Sequence, residues 1–275
     1  MIEIKNLDFG YKKQPVFKNI SLDFEKGNIY GLLGENGVGK TSLLKLISGL
    51  QKPTAGTCEV DGFTSFDRDP DFLQNIVLLP DKMPQLVKVT PEKYICDIGV
   101  FYPKYDADYF IRLANEFEVD IKQRFEKMSF GQQKKAFIAC MLSLGTDYIL
   151  LDEPTNGLDI PSKAIFRRII SQRSNDDTTI IISTHQVKDV ENLIDPITII
   201  THNNVLLHES VSAITEKIYF EYGGPQRDDA LYSETTPSGR INVMVNKIGE
   251  ESLIDIEALF KAVLNNTETI KKMFK

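Results

Sequence analysis

Between residues 28 and 50 the chain changes period, and that change constrains its fold more than any other feature. Asn28 to Leu33 (NIYGLL) is apolar and β-prone, whereas Leu43, Leu44, Leu46, Ile47 and Leu50 recur at helical spacing, with Gly49 and Pro53 near the end. Between them stands Gly34-Glu35-Asn36-Gly37-Val38-Gly39-Lys40-Thr41, which fits the phosphate-binding loop pattern at every fixed position. Glycines let backbone N–H groups turn inward toward phosphates at φ values that a Cβ would penalise. The helix beginning near Lys40 aims its positive end at the same anion. Lys40 is placed to bridge the terminal phosphates and the Thr41 hydroxyl to hold Mg²⁺, with residues 34–39 and Ser42 completing the nucleotide cradle. By chance alone such a loop is expected in on the order of one per cent of chains this long.

The rest of the chain supports an α/β reading. Ile2, Ile4, Leu7 and Phe9 alternate with polar residues, with one slip of period, and residues 16–24 (VFKNISLDF) alternate again. Tyr148–Leu151 and Thr179–Ile182 are short apolar runs, each preceded by a helical stretch, as in parallel strands buried on both faces. A helix over 161–173 lies between them, with Pro161 in its first turn. Alternation of helix and strand predicts helices covering a largely parallel sheet. Residues from about 82 to 135 carry helical patterns and read as an insert. Its aromatic residues, Tyr94, Phe101, Tyr102, Tyr105, Tyr109 and Phe110, are expected for the most part to form the insert's own core. Residues 223–240, rich in Gly, Pro, Ser, Thr and charge, read as a long loop between alternating runs at 217–222 and 241–247. Ser252-Leu-Ile-Asp255 resembles a capping box that opens a final helix. The domain expectation is a main unit over 1–215 and a small α+β appendage over 216–275.

Composition narrows the function classes. The 275 residues are 42% hydrophobic and 26% charged, which is ordinary for a globular chain, and the net charge is −7. An acidic balance argues against a non-specific nucleic-acid binder, which needs a basic surplus to neutralise phosphates. The longest apolar run, Ala136–Leu144, is about half of what a membrane helix needs. The N-terminus has no secretory pattern, and Cys58, Cys96 and Cys140 lack metal-ligand spacing and read as reduced thiols. A soluble cytosolic chain is expected, with any membrane role arising through a partner.

A phosphate-binding loop alone does not separate kinases, GTPases, helicases and transport ATPases. Tyr148-Ile-Leu-Leu-Asp152-Glu153 adds two carboxylates at the C-terminal end of a buried strand, where α/β sites form. Asp152 can take the metal directly or through water. Glu153 is then placed to orient and polarise the attacking water as general base.

Three further elements carry a resemblance. Met128-Ser129-Phe130-Gly131-Gln132 stands in place of an LSGGQ signature, Asp152 to Asp159 (DEPTNGLD) joins the carboxylates to a D-loop, and His185 follows a β-prone run. In order and spacing, roughly residues 1–210 resemble the ATP-binding subunits of ABC transporters. The resemblance implies a P-loop NTPase fold with an N-terminal antiparallel β subdomain and a helical subdomain bearing the signature. It implies that Tyr11 stacks on adenine, that His185 contacts the γ-phosphate and steadies the water against Glu153, and that Asp159 joins the nucleotide-contacting set. It implies that two copies, or a copy and a paralogue, close head to tail on ATP, so that Ser129, Gly131 and Gln132 cap the γ-phosphate of the other copy. The partner would be an integral membrane permease, which holds the chain on the cytoplasmic face, and the chain looks closest to the exporter-like branch. Two positions depart from the family: Phe130 replaces the first signature glycine, and Asp81 stands where the Q-loop glutamine is usual, as a possible metal ligand. His202 and His208 receive a structural reading; Lys134, Lys135, Lys163, Arg167 and Arg168 are expected on solvated faces. The alternative function is a non-transport ATPase of the same family acting on nucleic acid or ribosomes, against which stand the single P-loop and the lack of sustained heptads. A GTPase is disfavoured because Asn246-Lys-Ile-Gly249 lacks the aspartate that guanine selectivity wants.

Overall fold

In strand β1 (Ile2–Tyr11) the residues Ile2, Ile4, Leu7 and Phe9 share one buried face, and β2 (Gln14–Phe24) answers with Phe17, Ile20, Leu22 and Phe24. The slip of period between Ile4 and Leu7 is a β-bulge. Pairing shifts there from Ile4 opposite Leu22 to Leu7 opposite Ile20, and Asn6 takes φ 48°. The irregularity keeps both apolar sets on the core face, which a bare slip of register would have split. With β4 (Ala55–Val60) and β5 (Phe63–Thr64) these strands form a four-stranded antiparallel sheet in the order β2-β1-β4-β5. The computed structural model describes residues 1–12, 14–84, 88–237, 239–247 and 249–274.

The central sheet has six strands. It contains β3 (Ile29–Leu33), β6 (Ile76–Leu79), β7 (Tyr148–Asp152), β8 (Thr179–Thr184), β9 (Ile197–Thr201) and β10 (Asn204–Glu209), in the order β10-β9-β3-β8-β7-β6. All neighbours are parallel except the edge pair of β9 and β10. The runs predicted at 148–151 and 179–182 are therefore parallel strands, every residue of which is buried. Helix α1 (Lys40–Ile47) follows β3 and buries Leu43, Leu44, Leu46 and Ile47 in the cluster shared by the two sheets. Full burial of each such side chain is worth about 1.5–3 kcal/mol. A short helix, α2 (Pro70–Leu73), precedes β6.

The insert holds α3 (Pro91–Gly99), α4 (Ala107–Glu116) and α5 (Phe130–Ser143); its residues 85–87 lie outside those described. Phe110 is buried, and Tyr94, Tyr102, Tyr105 and Tyr109 pack half-buried against the core. Tyr94 stands edge-on to Phe125 and Phe137. Phe101 is 73% exposed and takes no part. Helix α6 (Ile160–Arg173) runs between β7 and β8.

After α7 (Val211–Lys217) the chain forms β11 (Ile218–Tyr222), β12 (Tyr232–Thr236) and β13 (Gly239–Val245), an antiparallel sheet in the order β11-β13-β12, followed by α8 (Ile256–Asn265) and α9 (Thr267–Met273). Two expectations need correction here. The stretch 223–240 is not one loop, because Tyr232–Thr236 is an edge strand whose polar side chains need no second apolar face. Nor does Ser252 cap α8: Asp255 does, accepting from the Ala258 N–H at 2.8 Å, while the Ser252 hydroxyl accepts from the Phe220 N–H. Among the described residues no helix is long and apolar enough to cross a membrane.

Candidate active site

Three adjacent parallel strands, β3, β8 and β7, end side by side, with Leu33 opposite Thr184 and Asp152 opposite Ser183. Each delivers one part of the site at its C-terminal end, where open parallel sheets place their ligand crevices. From β3 comes the loop 34–41. Gly37 and Gly39 take φ 84° and 119°, and a Cβ on Gly39 would lie 2.6 Å from Val16 and 2.8 Å from the Phe17 ring. Val38 is buried in the core, so only its backbone can serve a ligand. No side chain caps the first turn of α1, which leaves its N–H groups for an anion.

Strand β7 delivers Asp152 and Glu153. The Thr41 hydroxyl donates to Asp152 Oδ2 at 2.7 Å, and the Ser183 hydroxyl donates to Oδ1 at 2.5 Å. Glu153 adopts φ 46°, a left-handed conformation that costs a residue bearing a Cβ about 1–2 kcal/mol. Strain of this kind gathers at functional positions. Its backbone N–H bonds the Ser183 carbonyl at 2.9 Å, and its carboxylate meets the His185 ring, delivered by β8, at 2.8 Å from Nδ1. Lys40 Nζ donates to the carbonyls of Gly34 (2.7 Å) and Glu35 (3.1 Å) and lies 3.9 Å from Glu153 Oε1. Burial pulls the Lys40 pKa below its ordinary value, against the pull of Glu153 and Asp152. Asn36, Gly37, Gly39, Lys40, Thr41, Ser42, Asp81, Asp152 and Glu153 line one cavity of about 220 Å³.

Other predicted residues lie apart from this cavity. Tyr11 ends β1, 45% exposed, with its hydroxyl 3.2 Å from that of Ser42. Ser129 caps α5 in a reciprocal box with Gln132: its hydroxyl accepts from the Gln132 N–H, and its own N–H donates to the Gln132 side chain at 2.9 Å. Asp159 caps α6, accepting from the Ser162 N–H at 2.8 Å; hydrogen bonding by the Ser162 side chain first, and by its N–H second, holds the carboxyl below the usual range. Ser129, Gly131, Gln132 and Asp159 do not line the cavity of their own chain.

Three partners escaped sequence reasoning. Ser183 orients Asp152 from the polar end of the apolar run of β8, and Asn156, within the DEPTNGLD segment, donates to Asp81 at 3.2 Å. Lys134 is the third and corrects an expectation: it is fully buried, not solvated, because α5 turns this face toward β6. Lys163 is likewise drawn inward, to Asp189 at 2.7 Å. His208 keeps its structural reading, stacked on Tyr30 and bonded to Thr198 and the Asp23 carbonyl.

The family model described as ABC transporter matches residues 17–156. The chain belongs to this family. ABC transporter ATP-binding protein YtrB of Bacillus subtilis is 32% identical over 206 residues, which cover 74% of this chain and 70% of YtrB. The uncharacterized ABC transporter ATP-binding protein YybJ of the same organism is 35% identical over 77% of this chain and 97% of its own length. In fold, the chain matches the ATP-binding subunit of an ABC transporter with a TM-score of 0.72 at 24% identity, covering 78% of this chain and 91% of that one. A dimeric ATP-binding cassette in a post-hydrolysis state with ADP and Pi matches at 0.67 and 22%, over 77% and 99%. As a member of the ABC family this chain is an ATP-binding ATPase, built as a P-loop cassette around a largely parallel sheet.

Proposed function

We propose that the chain is the motor of a transporter whose membrane-spanning part is a separate permease, and that two cassettes close head to tail over ATP. The observation that carries this reading is the split of the predicted nucleotide contacts. Lys40, Glu153 and His185 converge beside one cavity, while Ser129, Gly131 and Gln132 lie off it, at the capped start of α5. A site so divided is completed by a second copy or a paralogue, whose signature N–H groups would meet the γ-phosphate at a helix N-terminus. Tyr11, one side chain away from the loop through Ser42, is the platform for adenine.

In the hydrolytic step, the Glu153 carboxylate accepts a proton from the water that attacks the terminal phosphorus, as the bond to the bridging oxygen breaks and ADP leaves. His185 holds that carboxylate in place through Nδ1. Lys40 exchanges its loop carbonyls for phosphate oxygens. The oxygen donors of Thr41, Asp152 and Asp81, which all line the cavity, fit a hard cation that prefers few carboxylates plus phosphate. Mg²⁺ bound with ATP would be held by these residues and would supply neutralisation of phosphate charge.

The permease reading draws on relatives described as transport subunits, such as lantibiotic transport ATP-binding protein SrtF of Streptococcus pyogenes. It draws also on a groove of about 550 Å³ lined by Arg68, Leu73, Tyr94, Ile98, Phe101 and Tyr102, among others, beside the exposed Val100 and Phe101. This groove would receive a cytoplasmic segment of the permease and so hold the chain peripherally at the membrane. Residues 216–275 would form the appendage to a main unit over 1–215.

Glu153→Gln tests the reading. Hydrolysis is expected to fall roughly 10²–10⁴-fold while ATP binding persists. Light scattering should show a MgATP-dependent rise from the 31.2 kDa monomer to twice that mass. A variant that binds ATP yet stays monomeric would reject self-pairing, and near-normal turnover would reject Glu153 as the base.

A further inference from the structure

Strands β6, β7 and β8 lie side by side, and Asp81, Glu153 and His185 follow their C-terminal ends. One side-chain amide spans the three loops that begin there. Asn156, four residues beyond the end of β7, donates through Nδ2 to Asp81 Oδ1 at 3.2 Å and accepts at Oδ1 from Gln186 Nε2 at 3.2 Å. The residue from the middle strand thus stands in the middle of the bridge. The direction of these bonds is forced. A carboxylate only accepts, so the Asn156 nitrogen faces Asp81; its oxygen is left for Gln186, which presents its own nitrogen.

Neither Asn156 nor Gln186 lines the cavity, so each acts on the chemistry through other groups. Both are anchored close to those groups. The Asn156 N–H bonds the Glu153 carbonyl at 3.3 Å, and the Gln186 N–H bonds the Thr184 hydroxyl at 2.9 Å. The loops after β7 and β8 are therefore joined by two rungs, Glu153 with His185 at 2.8 Å and Asn156 with Gln186. One rung leaves a turn free to pivot about it, whereas a second fixes its rotation. On the other side, the bond to Oδ1 orients the Asp81 carboxylate, which lines the cavity with Thr41 and Asp152.

We propose that Asn156 is a positioning residue of the ATPase site: its amide sets the Asp81 carboxylate for a divalent cation and, through Gln186, the His185 ring for Glu153. Because one planar amide serves both, loss of Asn156 loosens both sides, and loss of Gln186 loosens the histidine side alone. This inference rests on the reading of residues 34–42 as the ATP cradle and of Asp81 as a metal ligand.

The test uses the full chain with a β,γ-imido ATP analogue and Mn²⁺, whose free-ion EPR signal reports metal affinity without turnover. Steady-state ATPase in Mg²⁺ supplies kcat. Asn156→Ala is expected to weaken Mn²⁺ binding about three- to tenfold and to lower kcat about tenfold, with affinity for the analogue in EDTA held within about twofold. Gln186→Ala should lower kcat about three- to tenfold and leave Mn²⁺ affinity within about twofold. Asn156→Ala combined with Gln186→Ala should have a kcat no lower than Asn156→Ala alone, since one bond cannot be lost twice. Asp81→Ala combined with Asn156→Ala should bind Mn²⁺ no more weakly than Asp81→Ala alone. A merely structural loss would make these pairs additive. Additive pairs, or an Asn156→Ala chain that keeps either Mn²⁺ affinity or kcat within about twofold, would overturn the proposal. If Asn156→Ala does not fold, the exposed Gln186 decides: a kcat loss of about threefold or more in Gln186→Ala supports the bridge, and a smaller one overturns it. Two controls separate the readings beneath it. Unchanged Mn²⁺ affinity in Asp81→Ala would reject Asp81 as a ligand and the proposal with it. If the unaltered chain binds the analogue no better than Lys40→Ala does, the ATP cradle itself is misassigned and the bridge loses its role.

Discussion

Phe130 opens α5 directly after its cap Ser129, and its bulk is accommodated inside the same chain. The half-exposed ring lies on Gly157 of the D-loop, where an added Cβ would sit 2.4–2.5 Å from Phe130 ring carbons. Gly157 also takes φ 79°, and a Cβ on Gly131 would lie 2.7 Å from the Gly157 carbonyl oxygen. Phe130 and Gly157 are therefore in close contact, with no room for a Cβ at position 157 while the ring stays in place. Gly157→Ala should destabilise the nucleotide-free protein by about 1–3 kcal/mol, from the left-handed backbone and the clash together. Phe130→Ala in the same chain should recover the clash and leave the backbone cost, as read by denaturant unfolding. A Gly157→Ala midpoint that Phe130→Ala does not raise would show that the ring is free to swing away.

Among the elements, β10 is locked to β2 and β3 through one histidine. His208 stacks on Tyr30 with ring centroids 5.8 Å apart, its Nε2–H donates to the Asp23 carbonyl at 2.8 Å, and its Nδ1 accepts from the Thr198 hydroxyl at 2.8 Å. Burial lowers its pKa, outweighing the upward pull of the Asp23 carbonyl and of Glu209 and Asp23. The folded state thus binds this proton less readily than the unfolded chain. Its contribution to stability is complete above about pH 6.5, the unfolded value, and is lost as pH falls through the folded pKa. NMR titration of the ring C–H signals should place the His208 midpoint below about 6.5, the ordinary value; a midpoint at or above it contradicts the burial argument. The β1 bulge shows the opposite case, an element detail legible beforehand, since the spacing from Ile4 to Leu7 already breaks the alternation.

At the scale of the whole molecule, the division of contacts between the cavity and the α5 terminus predicts complementation in trans. On the proposed head-to-tail arrangement, Ser129→Arg would block the signature contact and Lys40→Ala would remove the lysine proposed to hold phosphate. Each alone should be nearly inactive, whereas a mixture should regain activity through heterodimers that hold one intact site. Heterodimers confirmed by mass but without recovered turnover would reject the head-to-tail arrangement. The same large apolar cluster runs from Val190, Ile194 and Leu206 through Ile218, Phe220, Ile241 and Leu259. Residues beyond 216 therefore share their core with the cassette.

Whatever depends on neighbours along the chain could be read from the sequence: the loop 34–41, the strand and helix periods around it, the carboxylates Asp152 and Glu153, and His185 at a strand end. Backbone torsions and side-chain facing follow from spacing, and spacing is covalent. Tertiary structure decided what depends on residues far apart. Tyr232–Thr236 is a strand only because β13 offers it an edge. Asp255 caps α8 while Ser252 is drawn to Phe220. Ser183 orients Asp152 from a neighbouring strand. Lys134 reads in sequence as one of a pair of surface lysines, and it is buried because α5 packs that face on the sheet, a contact that no local pattern encodes.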